Sequence, residues 1–96
     1  MMATTKTTLW DPAEHLGAEE AQTAYLDAAM EDGDPSVITA ALGDIARARG
    51  MSDMARITGL SRESLYKALS QDGNPEFATV LKVIKALGLR LSAVPA

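Results

Sequence analysis

Residues Ser52–Ser70 read SDMARITGLSRESLYKALS, and their spacing predicts two short helices joined by a tight turn. Ala55 stands four residues before Gly59, Leu60 follows the glycine, and Leu65, Ala68 and Leu69 complete the pattern. Helices that cross steeply need a small residue where their backbones approach and a turn residue that tolerates positive φ. Ala55 is expected in the first role and Gly59 in the second. Leu60, Leu65 and Leu69 then share the inward side. This is helix-turn-helix spacing, and Ala55, Gly59, Leu60 and Leu65 are its scaffold.

The second helix is the candidate recognition element. Ser61 is expected to cap it by accepting from the N–H of Glu63 or Ser64. With Leu65, Ala68 and Leu69 inward, the opposite face carries Arg62, Glu63, Tyr66, Lys67 and Ser70. That set suits a major groove: Arg and Lys donate to guanine O6/N7, Glu accepts from cytosine N4, and Ser serves either role. Ser61 and Ser64 lie at the helix start, where phosphate also meets backbone N–H groups. A solvated amphipathic helix carries similar residues, so the joint spacing is more telling than any one side chain.

Composition narrows the function classes. Ninety-six residues with 47% hydrophobic content make one globular domain with a modest core. There is no cysteine, so neither a disulfide framework nor a thiolate zinc site is possible. The one histidine, His15, reads as a helix-surface residue. No paired carboxylates or activated nucleophile stand out, and the neighbours Glu19 and Glu20 point apart on a helix. An enzyme is therefore not expected, and no cofactor or metal is implied. No apolar run reaches the about 18 residues of a membrane span, and no signal-peptide core is visible, so a cytoplasmic location is expected.

The net charge of −4 is unevenly spread. Residues 1–46 hold nine acids against Lys6 alone, a charge of −8; residues 47–96 hold eight bases against four acids, +4. Such polarity suits two partners of opposite sign: an anion for the second half and a basic surface for the first.

Residues 1–10 read as a flexible tail, with Trp10 expected on the core. Residues 11–96 form the single domain: acidic helices over 11–33, a helical core over 34–88 and a strand over 89–94. Asp11-Pro12 and Asp34-Pro35 are helix starts, and Asn74-Pro75-Glu76 is read the same way. Gly17, Asp32-Gly33, Gly50 and Gly88 are helix ends. Ala21, Ala24, Tyr25, Ala28 and Ala29 are expected on one side of the helix over Glu19–Glu31, widened by Leu26 and Met30. Val37, Ile38, Ala41, Leu42, Ile45 and Ala46 are expected inward on the helix over Pro35–Arg49. Arg47 and Arg49 favour its negative end and lie within possible reach of phosphate. Ser52 is expected to cap the next helix. Phe77, Val80, Leu81, Ile84 and Leu87 recur at helical spacing after it, with Lys82 and Lys85 off the stripe. Leu89–Val94 alternates apolar and polar residues and predicts a short strand. A single strand leaves its backbone unpaired, so it needs another strand, a second copy or a partner protein.

These residues carry a resemblance. GDIARARGMSDMARITGLSRESLYKALSQDGNPEFATVLKVIKALGLRL looks like the C-terminal part of bacterial addiction-module antidote proteins, the HigA-like antitoxins. DPAEHL and AYLDAAMEDGDPSVITAALGDIARARG resemble their N-terminal part. The match covers about residues 11–94, and Gly59–Leu69 is its most specific piece. The resemblance implies an all-α, five-to-six-helix, lambda-repressor-like helix-turn-helix domain with a C-terminal strand. It implies an antitoxin that neutralises a small basic RelE/HigB-like ribonuclease toxin, binds its own operator DNA as a homodimer and represses transcription. The DNA-reading role falls on Ser61, Arg62, Glu63, Tyr66 and Lys67. Many such domains open their first helix with a Gln that bonds phosphate; here Ser52-Asp53-Met54 stands instead, and Asp53 repels phosphate. Dimerisation over half-sites about 34 Å apart then matters more. The alternatives are a stand-alone repressor and an inhibitor module that no longer binds DNA.

Overall fold

The computed structural model describes residues 11–96, and all regular structure there is helical. The expected tail and the packing of Trp10 lie outside the described residues, as does the His15 side chain. A 3-10 turn over Pro12–His15 is followed by α1 (Glu19–Asp32), α2 (Pro35–Arg49), α3 (Met51–Thr58), α4 (Arg62–Ala68) and α5 (Phe77–Ala86).

The helix starts follow local chemistry. Asp11 accepts from the Ala13 N–H at 3.1 Å and Asp34 from the Ser36 N–H at 2.9 Å, each with proline in the first turn. Hydrogen bonds from the Ser36 side chain and backbone hold the Asp34 carboxyl below its ordinary range. The third proline signal works differently. Glu76 is the N-cap of α5 and makes no side-chain capping bond, so Pro75 precedes the cap rather than following it. Ser52 is not a cap either: α3 begins at Met51, because that side chain is buried in the core and draws the first turn one residue earlier.

The core gathers one side of every α-helix. Leu42 and Ile45 of α2, Met54 of α3, Leu65 of α4 and Val83 and Ile84 of α5 are essentially sealed from solvent, with Leu87 just beyond α5. Each such aliphatic side chain contributes about 1.5–3 kcal/mol by leaving water. The register differs from expectation at the edges. Ala24 and Ala28 are exposed, and the buried side of α1 is Gln22, Leu26 and Ala29. Val37 is exposed while Thr39 is buried. Phe77 is 66% exposed, and Val83, off the expected stripe, is fully buried. The core-facing arc of α5 is Val80, Val83, Ile84 and Leu87, which leaves Phe77 at its border.

Buried Gln22 is satisfied at both ends. Its Nε2 donates to the Leu16 carbonyl at 2.6 Å, and its Oε1 accepts from Arg49 Nε at 3.0 Å. Among the described residues no buried side-chain polar atom lacks a partner.

No strand forms over 89–94. Residues 89–96 carry no regular structure and, among the described residues, meet no neighbouring strand. An extended segment in a single chain has nothing to complete its ladder.

Candidate nucleic-acid interface

The turn between α3 and α4 is built by four consecutive residues. Thr58 Oγ1 donates to the Met54 carbonyl at 2.7 Å and accepts from the Leu60 N–H at 3.2 Å. Gly59 closes α3 at φ 77°, a left-handed conformation that suits glycine, and its N–H reaches the Ala55 carbonyl at 2.9 Å. Leu60 is half-buried. Ser61 then caps α4 by accepting from the Ser64 N–H at 3.0 Å.

Leu65 and Leu69 pin α4 to the core. A close backbone approach falls at Gly43 of α2. A Cβ there would stand 2.5 Å from the Leu69 carbonyl oxygen. Gly43 therefore sets how closely the end of α4 docks on α2. A glycine inside an otherwise helical run was the available signal for it.

The outer side of α4 carries the expected residues, and the structure sorts them. Ser61 Oγ donates to Ser64 Oγ at 2.9 Å, and Ser70 Oγ donates to the Lys67 carbonyl at 3.0 Å, so these hydroxyls are held locally. Arg62, Glu63, Tyr66 and Lys67 are exposed, and among the described residues their side chains make no hydrogen bond or ion pair. They are the groups able to turn to an external ligand. Arg62 and Tyr66 share a shallow cleft of about 480 Å³ with Arg47, Ser52, Asp11 and Glu14, so the ground beside α4 is of mixed sign.

Three other arginines, Arg47, Arg49 and Arg56, are committed elsewhere. Arg47 Nη1 bonds both Asp11 oxygens at 2.8 Å, and Nη2 pairs with Asp44. Burial pulls the Arg47 guanidinium pKa down, but bonds and charges from both aspartates outweigh it and push it further up. Tyr25 donates to the second Asp44 oxygen at 2.6 Å. Burial, that hydrogen bond and the nearby carboxylate charge together raise the Tyr25 pKa to about 12. Arg49 donates to Gln22 and to the Leu87 carbonyl. The expected reach of Arg47 and Arg49 toward phosphate thus gives way to internal bonding. Asp53 pairs with Arg56 at 3.3 Å. Lys82 and Lys85 are exposed on α5.

Among the described residues, no His, Asp and Glu side chains gather into a group that could hold a metal ion. No helix there is long and apolar enough to cross a membrane.

A protein-family model described as "Probable addiction module antidote protein" matches residues 6–95. An uncharacterised protein of Haemophilus influenzae is 57% identical over 81 residues, 84% of each chain. No solved structure matches the chain. With the family model spanning nearly the whole sequence, the chain belongs to the addiction-module antidote family, whose members imply a cognate toxin.

Proposed function

We propose that this chain is a HigA-like antitoxin of a type II module. It binds operator double-stranded DNA as a homodimer through a lambda-repressor-type helix-turn-helix formed by α3 and α4, and it represses its own operon. It acts by binding, without catalysis, in the cytoplasm, and it neutralises a basic RelE/HigB-like ribonuclease toxin. One observation carries the DNA-binding part: Arg62, Glu63, Tyr66 and Lys67 project from one exposed side of α4 with no internal partner among the described residues. That set offers two cationic donors for guanine edges or phosphate and one acceptor for cytosine. Arg47, Arg49 and Arg56 hold partners within the fold, whereas Arg62 and Lys67 of α4, like Lys82, Lys85 and Arg90, are exposed cations with no such partner among the described residues.

The runner-up is an inhibitor module without DNA binding. Asp53, exposed in the first turn of α3, favours it by repelling phosphate. A reporter driven by the chain's own upstream DNA separates the two. The wild-type chain represses it, and Arg62→Ala with Lys67→Ala relieves repression while still protecting cells against the toxin. Full repression by the double variant would reject the recognition role of α4.

A further inference from the structure

The C-terminal segment and α1 line one groove of about 680 Å³. Its apolar floor includes Leu26 and Met30 of α1, and its rim includes Asp27 and Glu31. The other wall is the C-terminal segment, where Leu91 and Val94 are 40% and 79% exposed. Leu89 anchors that segment: it is half-buried, and its N–H bonds the Ile84 carbonyl at 3.1 Å. Beyond it, the N–H groups of residues 90–94 have no acceptor among the described residues. The segment is therefore without regular structure and unpaired, and its backbone N–H and C=O groups are open to an added strand.

Charge selects the occupant. Five acids, Glu19, Glu20, Asp27, Glu31 and Asp32, are exposed along α1, which has no basic residue, and Asp27 and Glu31 on the groove outnumber its one base, Arg90. A second copy docking here would bring two such helices together, like charge against like. A basic partner meets the opposite sign.

We propose that this groove is the toxin-docking surface: an edge strand of the basic toxin pairs with residues 90–94 while its cationic side chains meet Asp27 and Glu31. This rests on the antitoxin reading above. Main-chain pairing supplies affinity, and Leu91, on the same side of the added strand as Leu89 and Ala93, offers the apolar contact that sets register.

The test uses the full chain and its purified cognate toxin, with affinities measured by calorimetry. Three variants are compared: deletion of residues 90–96, Asp27→Lys with Glu31→Lys, and the control Asp72→Lys with Glu76→Lys, which changes net charge equally at a distance from the groove. The deletion and the α1 reversal are each expected to weaken toxin binding roughly 100-fold, with operator affinity of the deletion variant and melting temperature near wild type. The control is expected to retain wild-type toxin affinity. Hydrogen exchange at residues 90–94 is expected to slow in the complex. Unchanged toxin affinity in the deletion variant, or unprotected amides in the complex, overturns the proposal. A deletion that halves the solution mass and spares toxin affinity overturns it in favour of pairing between copies. Wild-type chain that binds operator but not toxin rejects the antitoxin reading itself, a result distinct from failure of the groove alone.

Discussion

Arg49 Nη2 donates to the carbonyl oxygen of Leu87 at 2.7 Å, tying the last turn of α2 to the residue that follows α5. The same guanidinium holds Gln22 of α1 through Nε. One side chain thus joins three helices at a point 38 residues from one of its partners. Removing it leaves the inner oxygen of Gln22 unpaired, and an unsatisfied buried acceptor costs about 1–3 kcal/mol. Arg49→Ala is expected to lower stability by about that amount in urea titration, with operator affinity unchanged at temperatures where it is folded. A selective loss of DNA binding without loss of stability would return Arg49 to a phosphate-contact role.

Gly43 poses a contest between propensity and packing. Alanine is favoured over glycine inside a helix by about 1 kcal/mol. The new Cβ, however, would stand 2.5 Å from the Leu69 carbonyl oxygen, a backbone atom that cannot swing aside. Overpacking of this kind costs about 1–3 kcal/mol. Gly43→Ala is therefore expected to be net destabilising, and to weaken operator binding by displacing the end of α4. A variant that melts higher than wild type would show that α2 and α4 are less tightly apposed.

Tyr25 makes the fold sensitive to alkali. Its pKa stands at about 12 in the folded chain against an ordinary 10.0. A raised folded value favours the protonated form, so the contribution is fully present below pH 10 and is lost as pH rises toward 12. Tyr25→Phe removes the hydrogen bond to Asp44, so it is expected to be less stable than wild type at neutral pH. It is also expected to show a shallower loss of stability through that alkaline window. Absorbance of the phenolate in a Tyr66→Phe background, which leaves one tyrosine, reads the titration directly. Ionisation of Tyr25 near 10 would contradict the Tyr25–Asp44 bond.

Much of the helix pattern was legible because it is local. Asp11, Asp34 and Ser61 cap as their sequence neighbours dictate, and Gly33, Gly50 and Gly59 end helices at positive φ. The outward-facing residues of α4 were readable too, since Leu65 and Leu69 fix which way the helix faces. What escaped depends on distant chain. Arg47 meets Asp11 across 36 residues, and the burial of Gln22 is tolerable only because Leu16 and Arg49 arrive to satisfy it. Phe77 fits the apolar spacing of α5, yet lies at the border of the arc that the other helices cover. Periodicity marks a stripe, and only the neighbours decide where it stops. The C-terminal alternation was equally readable, but a strand requires a partner that sequence does not supply.

The double substitution Arg62→Ala with Lys67→Ala removes two exposed side chains that support nothing inside the fold. Surface changes of this sort alter stability by about 0.5 kcal/mol or less. Helicity and melting are expected to match wild type, and a substantially lower melting point would mean that these residues brace α4 rather than read DNA.

The most direct test of the central claim is a salt-series titration of wild-type chain and that double variant against the chain's own upstream DNA and a scrambled duplex. The account predicts that wild type prefers its own DNA, with affinity falling steeply from about 50 to about 200 mM salt. The double variant is predicted to lose the preference and to show a flatter salt slope. Equal binding of both duplexes by wild type at every salt concentration, or unchanged specificity in the double variant, would contradict the assignment of DNA recognition to α4.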